Sequence, residues 1–252
     1  MIVPTYLPYY VITGGIAIVA AILFGLNSAL SKSDWTASDR ASVARTSSIV
    51  LIGWFLVATS LAWMDAYRAA ADRIPTIQYG IFVPILIGGL LIWRSSTVAR
   101  IIDAVPQQWL IGVQLYRVLG AIFLILYGAG KLPGLFAWPA GLGDVLVGVL
   151  APVVAVAYAR EPRKNADLVF AWNLFGLADF VVAVTAGFLT SPSQFQLFAF
   201  DLPNELVSQF PLVLIPVFLV PVSVLLHLAS LTKLRRSALR DNNRREIARA
   251  PA

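Results

Sequence analysis

The sequence predicts an all-α fold, a seven-transmembrane-helix bundle with the N-terminus outside and the C-terminus in the cytoplasm. Its composition, the length of its apolar segments and the placement of its basic residues lead to this prediction. Of its 252 residues, 59% are hydrophobic and 13% are charged, whereas a soluble domain is about half apolar and about a quarter charged. The main solvent of this chain is therefore expected to be lipid.

The apolar residues form seven segments, each close to the length of about 20 residues that a helix needs to cross a bilayer. Inside lipid every backbone polar group must be bonded within its own segment, so each segment is expected to be helical. The predicted spans are 8–30, 47–65, 77–94, 109–128, 139–158, 167–189 and 211–232. They define a membrane domain over 1–232 and leave 233–252 as a basic cytoplasmic tail.

The first segment is expected to remain as a membrane span. It has no Lys or Arg ahead of its apolar run, whereas a secretory signal begins with a basic region. Tyr6, Tyr9 and Tyr10 would then lie at the membrane interface.

The basic residues predict the orientation of the bundle. The first, third and fifth connections and the C-terminal tail together contain 15 Lys and Arg residues, and the opposite side contains 3. Because cytoplasmic loops carry the excess of Lys and Arg, the side with 15 is expected to be cytoplasmic. Trp63, Trp93, Trp109 and Trp138 fall at span ends, as an aromatic belt requires.

Charged residues inside the predicted spans are the strongest functional signal. Placing one at the bilayer centre costs about 2.5–3.5 kcal/mol on insertion scales, so such residues face the bundle interior and usually pair. Arg117 and Asp179 fall near the centres of the fourth and sixth spans, and are predicted to form an ion pair. Asp144 is expected about 7 Å toward the outside, where it pairs with Arg117, reaches Lys131 or is protonated.

Three further polar residues extend this set toward the inside. Gln114 and Asn173 are expected about 7 Å, and His227 about 8 Å, to the inside of the midplane. The functional interpretation is a ladder of titratable and polar groups across the membrane. The structural interpretation is a buried ion pair that sets helix register, with His227 bonded to a backbone carbonyl. The predicted intramembrane polar site is Arg117, Asp144, Asp179, Asn173, Gln114 and His227.

Two segments near the end of the chain each allow two interpretations. The last span contains Pro211, Pro216 and Pro221, so it is either a broken helix that lines a site or a bent packing helix. The connection 190–210 mixes apolar and acidic residues. It either forms a lid over the helix ends or lies flat on the outer interface.

The C-terminal tail is expected to lie on the membrane surface. Each basic residue near an anionic leaflet contributes about 1 kcal/mol of attraction. Anionic lipids at the cytoplasmic face are therefore predicted partners. The tail residues assigned to this surface are Lys233, Arg235, Arg236, Arg240, Arg244 and Arg245.

Several kinds of chemistry are excluded by composition. The chain has no cysteine and one histidine, which rules out disulfides, Cys-ligated metal sites and a multi-histidine site within one chain. Motifs for a nucleophilic serine, a phosphate-binding loop or a zinc protease are absent. No catalytic residue, metal or cofactor is predicted. Nucleic acid is not an expected partner, because the basic residues follow the membrane pattern.

Four stretches carry a family resemblance. They are Arg117-x-x-Gly120, GKLPGLFAWPAGLGD (130–144), WNLFGLAD (172–179) and LIPVFLVPVSVLLH (214–227). The region from 116 to 231 resembles a group of uncharacterised bacterial multipass membrane proteins. The resemblance implies a location in the bacterial inner membrane and no particular activity.

The buried charges lead to three alternative hypotheses about function. A transport or channel-like protein that moves a proton or small molecule is the leading hypothesis. The alternative is a non-catalytic binding, sensor or assembly subunit whose buried charges determine helix packing. The third is an intramembrane enzyme with Asp144 or Asp179 as acid or base. His227 is expected about 9 Å below Asp179, too far for direct contact between them.

Overall fold

The computed structural model describes residues 3–72 and 74–249, with side chains described as far as residue 240. Seven helices in these ranges are long and apolar enough to cross a membrane, as a multipass membrane protein requires. A short helix, α4 (Ser96–Ala104), lies between the third and fourth of them. The long helices are α1 (Leu7–Ser31), α2 (Ala37–Trp63), α3 (Ile77–Arg94), α5 (Gln107–Gly128), α6 (Gly134–Arg160), α7 (Ala166–Thr190) and α8, which begins at Ile215 and continues to Arg249.

The predicted spans and the observed helices agree in number and order. The third span, 77–94, coincides with α3, and the sixth, 167–189, lies within one residue of α7 at each end. The second begins earlier than predicted, because the Thr36 hydroxyl accepts a hydrogen bond from the Asp39 N–H (3.1 Å) and caps α2. The fifth also begins earlier, since α6 starts after Pro133 and continues through Pro139.

The middle of α5 is a 3₁₀ helix. Residues Val113–Gly120 adopt this tighter conformation between α-helical turns on both sides. In a 3₁₀ helix residues three apart are eclipsed, and runs longer than three or four residues are uncommon. The buried residues of this stretch are Gln114, Arg117 and Gly120, which share that period. The 3₁₀ geometry therefore aligns Arg117 directly with Gln114 on the face that packs inside the bundle.

The start of α8 is also irregular. Residues Ile215–Leu219 form a π-helical turn that contains Pro216, and α-helical geometry begins at Val220. The Tyr116 hydroxyl donates a hydrogen bond to the Leu219 carbonyl (3.0 Å) at this transition, and it also contacts the Ser223 hydroxyl. The predicted span 211–232 is thus helical from Ile215 onward, with a widened first turn bonded to α5, and Pro211 lies in the turn ahead of the helix.

The bundle is built around α5, α6, α7 and α8. Helix α6 packs against the 3₁₀ stretch of α5 and against α7, and α8 packs against α3, α5 and α7. Helix α3 is peripheral, with Ile81 its one buried residue. Large apolar side chains on α2 and α3 are exposed, which is expected where hydrocarbon, rather than water, is the surrounding solvent.

The connection between α7 and α8 has two parts. In the first part Phe195, Leu197, Phe198 and Phe200 are exposed. In the second part Leu206 and the residues around it are buried, and the Asn204 N–H donates to the Thr190 carbonyl (2.9 Å). The second part is a lid over the helix ends, and the first part is an exposed apolar segment.

Helix α8 continues past residue 232, the predicted end of the membrane domain, to Arg249. Lys233 donates hydrogen bonds to the carbonyls of Ile102 (3.0 Å) and Asp103 (2.8 Å), and Arg236 donates to the carbonyl of Ala99 (3.2 Å). The last carbonyls of a helix lack intrahelical partners and attract cations.

Three of the predicted membrane-surface cations are therefore bound to α4. Arg240 is the third, since it forms an ion pair with the Asp103 carboxylate (2.6 Å). Arg235 is exposed. The side chains of Arg244 and Arg245 lie outside the described residues.

Candidate functional site

Arg117 is the centre of a buried polar cluster. Its Nε donates to Asp144 Oδ1 (2.8 Å), and its Nη2 donates to Asp179 Oδ2. Its Nη1 donates to the Gly176 carbonyl (3.3 Å) and lies 3.2 Å from His227 Nε2. The guanidinium thus joins α6, α7 and α8 to the 3₁₀ stretch of α5.

An aromatic ring contacts the face of the guanidinium, in addition to the polar groups that bind its edge. Its central carbon lies 3.9 Å from the centre of the Phe180 ring, at which distance the negative face of the ring attracts a cation. The Arg117 side chain is 1% exposed. Its orientation is therefore determined by four polar neighbours and one ring.

Both carboxylates approach Arg117 closely because glycines lie beside them. The contact with Asp179 is the one predicted from their shared depth. Asp144 also contacts Arg117, which is one of its three predicted alternatives, rather than Lys131. A Cβ at Gly120 would overlap Asp144, and a Cβ at Gly143 would overlap the Asp179 carboxylate.

The geometry determines the tautomer of His227. Arginine can only donate, so His227 Nε2 accepts from Arg117 and carries no proton. His227 Nδ1 lies 2.9 Å from Asn173 Oδ1 and donates to it. The Asn173 Nδ2 group in turn donates to the Val169 carbonyl (2.8 Å) and the Ser230 hydroxyl (2.9 Å), which confirms that Oδ1 faces the ring. His227 is therefore neutral.

The structural interpretation of His227 is wrong, because its two ring nitrogens contact Arg117 and Asn173 rather than a backbone carbonyl. The depth estimate separated it from the ion pair, whereas it contacts the guanidinium directly. The estimate compared Cα positions, but the long arginine side chain carries its guanidinium well away from its own Cα. Trp172, which the depth estimate did not use, packs on the His227 ring with 5.0 Å between ring centres.

Polar residues outside the predicted set continue the network. Gln107 Nε2 donates to the Ser230 hydroxyl (2.7 Å), so one line of hydrogen bonds joins Arg117 to Gln107 through His227, Asn173 and Ser230. Gln114 belongs to a second group, where it bonds to Ser223 through that residue's carbonyl (3.0 Å) and hydroxyl (3.0 Å). The polar character of Ser223 and Ser230 within an apolar segment was the available sequence signal.

A family model described as a domain of unknown function, DUF8737, matches residues 74–235. The chain belongs to this family. The matched region begins ahead of α3, so it extends beyond the resemblance found over 116–231, and it contains every residue of the Arg117 cluster. No curated protein and no solved structure matches the chain.

The cluster in the DUF8737 region has an imbalance of charge. Two aspartates share one arginine, and His227 is neutral, so the formal charge is −1 when both carboxylates are ionised. An isolated charge in an apolar interior is strongly unfavourable. A proton on one carboxylate, or a cation brought by a ligand, would remove the imbalance.

A cavity of about 70 Å³ reaches Asp144 from the side of the α7–α8 connection, and all of its lining residues except Ala69 belong to the DUF8737 region. A smaller one of about 20 Å³ lies beside Arg117, Gly120 and Asp144. On the opposite side of Arg117 the residues His227, Asn173 and Ser230 are fully buried. Asp144, with its side chain 12% exposed, is the most accessible charged group of the cluster.

Within the described ranges, no three His, Asp or Glu side chains are grouped so that they could hold a metal ion.

Proposed function

We propose that this DUF8737 protein is a multipass transporter of the bacterial inner membrane that binds a small solute in exchange for a proton at the Arg117 cluster. In this proposal the N-terminus lies outside and the basic C-terminus lies in the cytoplasm. The distribution of Lys and Arg supports the orientation. The observation that carries the proposal is the cavity that ends on Asp144, a carboxylate that must share Arg117 with Asp179.

The charge imbalance supports proton exchange. With one carboxylate protonated, the cluster is neutral and suited to the apolar interior. When a ligand supplies positive charge or strong hydrogen-bond donors to Asp144, the proton is no longer needed and leaves. Binding of the ligand and binding of the proton then exclude each other, which is the coupling that an exchanger requires.

The unequal access to the two sides of Arg117 supports an exchanger over a proton channel. A channel needs a continuous path of groups that accept and release protons. The line from Arg117 to Gln107 begins with a guanidinium, which does not lose its proton, and is fully buried at His227, Asn173 and Ser230. This difference in burial supports the proposal of a state with access from one side, as expected for one half of a transport cycle.

A purely structural role is the second candidate, because the polar groups of Arg117 bind Asp144, Asp179, Gly176 and His227 within the bundle. Such a satisfied network can specify helix register without any ligand. Direct acid–base catalysis by a His227–carboxylate pair is not supported, since Arg117 and Asn173 occupy both nitrogens of the ring.

Infrared difference spectroscopy of the purified protein in liposomes tests the proton. We expect a carboxyl C=O band from a protonated, buried aspartate that disappears as the pH is raised and is absent from Asp144→Asn or Asp179→Asn. A spectrum with both aspartates ionised between pH 5 and 9 would contradict proton exchange and favour the structural role.

Proteoliposomes loaded with a pH-sensitive dye test the exchange. A panel of cationic, neutral and anionic solutes is added outside, and a solute-driven change in internal pH is expected for the wild type. Asp144→Asn should abolish this change. Asp103→Asn is the matched control, because it removes a carboxylate that lies outside the cluster and pairs with the basic end of α8.

A further inference from the structure

The cavity that reaches Asp144 extends along α7. Its wall on α7 extends from Phe180 to Ser191, and eleven helical steps correspond to about 16 Å. A cavity of about 70 Å³ that extends over this length has space for an extended chain of atoms.

The wall of the cavity is largely apolar, with Gln78 of α3 its one amide side chain. Five phenylalanines from four helices line it: Phe82, Phe123, Phe136, Phe180 and Phe188. At the far end the Ser191 hydroxyl donates to the Gly187 carbonyl (2.7 Å), and the Ser208 hydroxyl donates to the Glu205 carbonyl (2.8 Å). Those two hydroxyls are already engaged within the protein.

The other end of the cavity is the Asp144 carboxylate. Its Oδ1 accepts from Arg117. Among the residues whose side chains the structure describes, no donor forms a hydrogen bond with Oδ2. One carboxylate oxygen of a cluster with excess negative charge therefore has no hydrogen-bond donor. The Asp144 side chain lines both the larger cavity and the smaller one beside Gly120.

We infer that the cavity binds a slender lipophilic cation, with its ammonium group on Asp144 and its alkyl chain along α7. This inference rests on the proposed exchange, because the ammonium charge takes the place of the proton that leaves the cluster. The alkyl chain fits the largely apolar wall, and the positive charge fits the carboxylate. An anionic head group would instead add to the excess negative charge.

The opening of the cavity lies beside α3. Phe82 lines the cavity and is 49% exposed. Helix α3 packs on α8, and α7 forms the opposite wall. A lipophilic ligand would therefore enter between α3 and α7 from the surrounding hydrocarbon.

Binding of three ligands with the same chain tests the assignment. Octylammonium, octanol and octanoate are titrated into the protein in phosphatidylcholine nanodiscs by calorimetry, and the signal of empty nanodiscs is subtracted. For the wild type we expect octylammonium to bind at least about tenfold tighter than octanol, because an ammonium–carboxylate hydrogen bond is charge-assisted. Octanoate should not bind.

Two variants separate the head group from the chain. Asp144→Asn should remove the preference for octylammonium over octanol. Ala183→Phe places a ring in the cavity wall and should abolish binding of both. Ala171→Phe is the matched control, because it lies at an exposed position of the same helix and should bind as the wild type does. If Asp144→Asn does not fold, the comparison of Ala183→Phe with Ala171→Phe still tests the inference.

The inference is overturned if octylammonium and octanol bind equally to the wild type, or if Ala183→Phe binds like Ala171→Phe. If the titrating carboxyl band is present without octylammonium binding, the proposed proton exchange stands and the ligand class is wrong. If octylammonium binds but no carboxyl band titrates, the ligand class stands and proton exchange is wrong.

Discussion

Two of the arginine–aspartate clusters among the described residues differ in their surroundings. In the buried cluster the side chains of Arg117, Asp144 and Asp179 are 1%, 12% and 6% exposed. In the cluster at the end of α8 the side chains of Arg240 and Asp103 are 63% and 27% exposed. The same chemical groups meet in both places, so the comparison isolates the effect of solvent.

The two clusters are expected to differ in how much their charges contribute to stability. Near water an ion pair contributes about 0–1 kcal/mol, because solvent and salt screen it. In an apolar interior the loss of one partner leaves an uncompensated charge and costs about 3–5 kcal/mol. The buried cluster should therefore control stability and binding, and the exposed one should do little of either.

The largest expected effect is that of Arg117→Leu. It leaves Asp144 and Asp179 without their cation, so we expect a loss of about 3–5 kcal/mol in the free energy of unfolding. Chemical denaturation in detergent measures this loss. The triple variant Arg117→Leu, Asp144→Asn, Asp179→Asn has no buried charge in the cluster, so it should recover part of the stability that Arg117→Leu loses. A triple variant less stable than Arg117→Leu alone would contradict this account.

His227→Leu tests the neutral part of the buried network. The imidazole accepts from Arg117 and donates to Asn173, and leucine does neither. A buried polar group left without a partner costs about 1–3 kcal/mol, and two such groups are created here. Thermal unfolding should show a lower midpoint than that of wild type. An unchanged midpoint would mean that other groups take over both hydrogen bonds.

Gly143→Ala tests the close approach of α6 to Asp179. The added Cβ would overlap the carboxylate, and overpacking of this kind costs about 1–3 kcal/mol. Gly53→Ala is the matched control, because a Cβ there meets no atom within 4 Å. The control should be neutral or slightly stabilising. Equal losses in both variants would refute the steric explanation.

The smallest expected effect is that of Arg240→Gln. It removes the exposed pair with Asp103 and should cost at most about 1 kcal/mol. The difference from wild type should shrink as salt is added, whereas that of Arg117→Leu should persist, since buried charges are screened much less. Denaturation at low and high salt checks both. A loss at Arg240 that is large and independent of salt would remove the contrast between the clusters.

Much of the fold was predictable from composition and segment length. A segment that crosses a membrane must form its backbone hydrogen bonds within itself, so each of the seven apolar segments was expected to be a helix. The contact between Arg117 and Asp179 was also predictable, because two opposite charges at one depth in an apolar medium have few other partners. The predicted ends of α3 match the observed ends residue for residue, because a polar residue lies on each side of its apolar run.

The side-chain contacts, the irregular helical turns and the cavity depend on tertiary packing. A depth along a helix says nothing about the direction of a side chain, so the contacts of His227 with Arg117 and Asn173 depend on how α5, α7 and α8 are rotated. The 3₁₀ stretch and the π-helical turn likewise depend on contacts such as that of Tyr116 with Leu219. The cavity at Asp144 exists only between assembled helices, because its walls come from segments far apart in the chain.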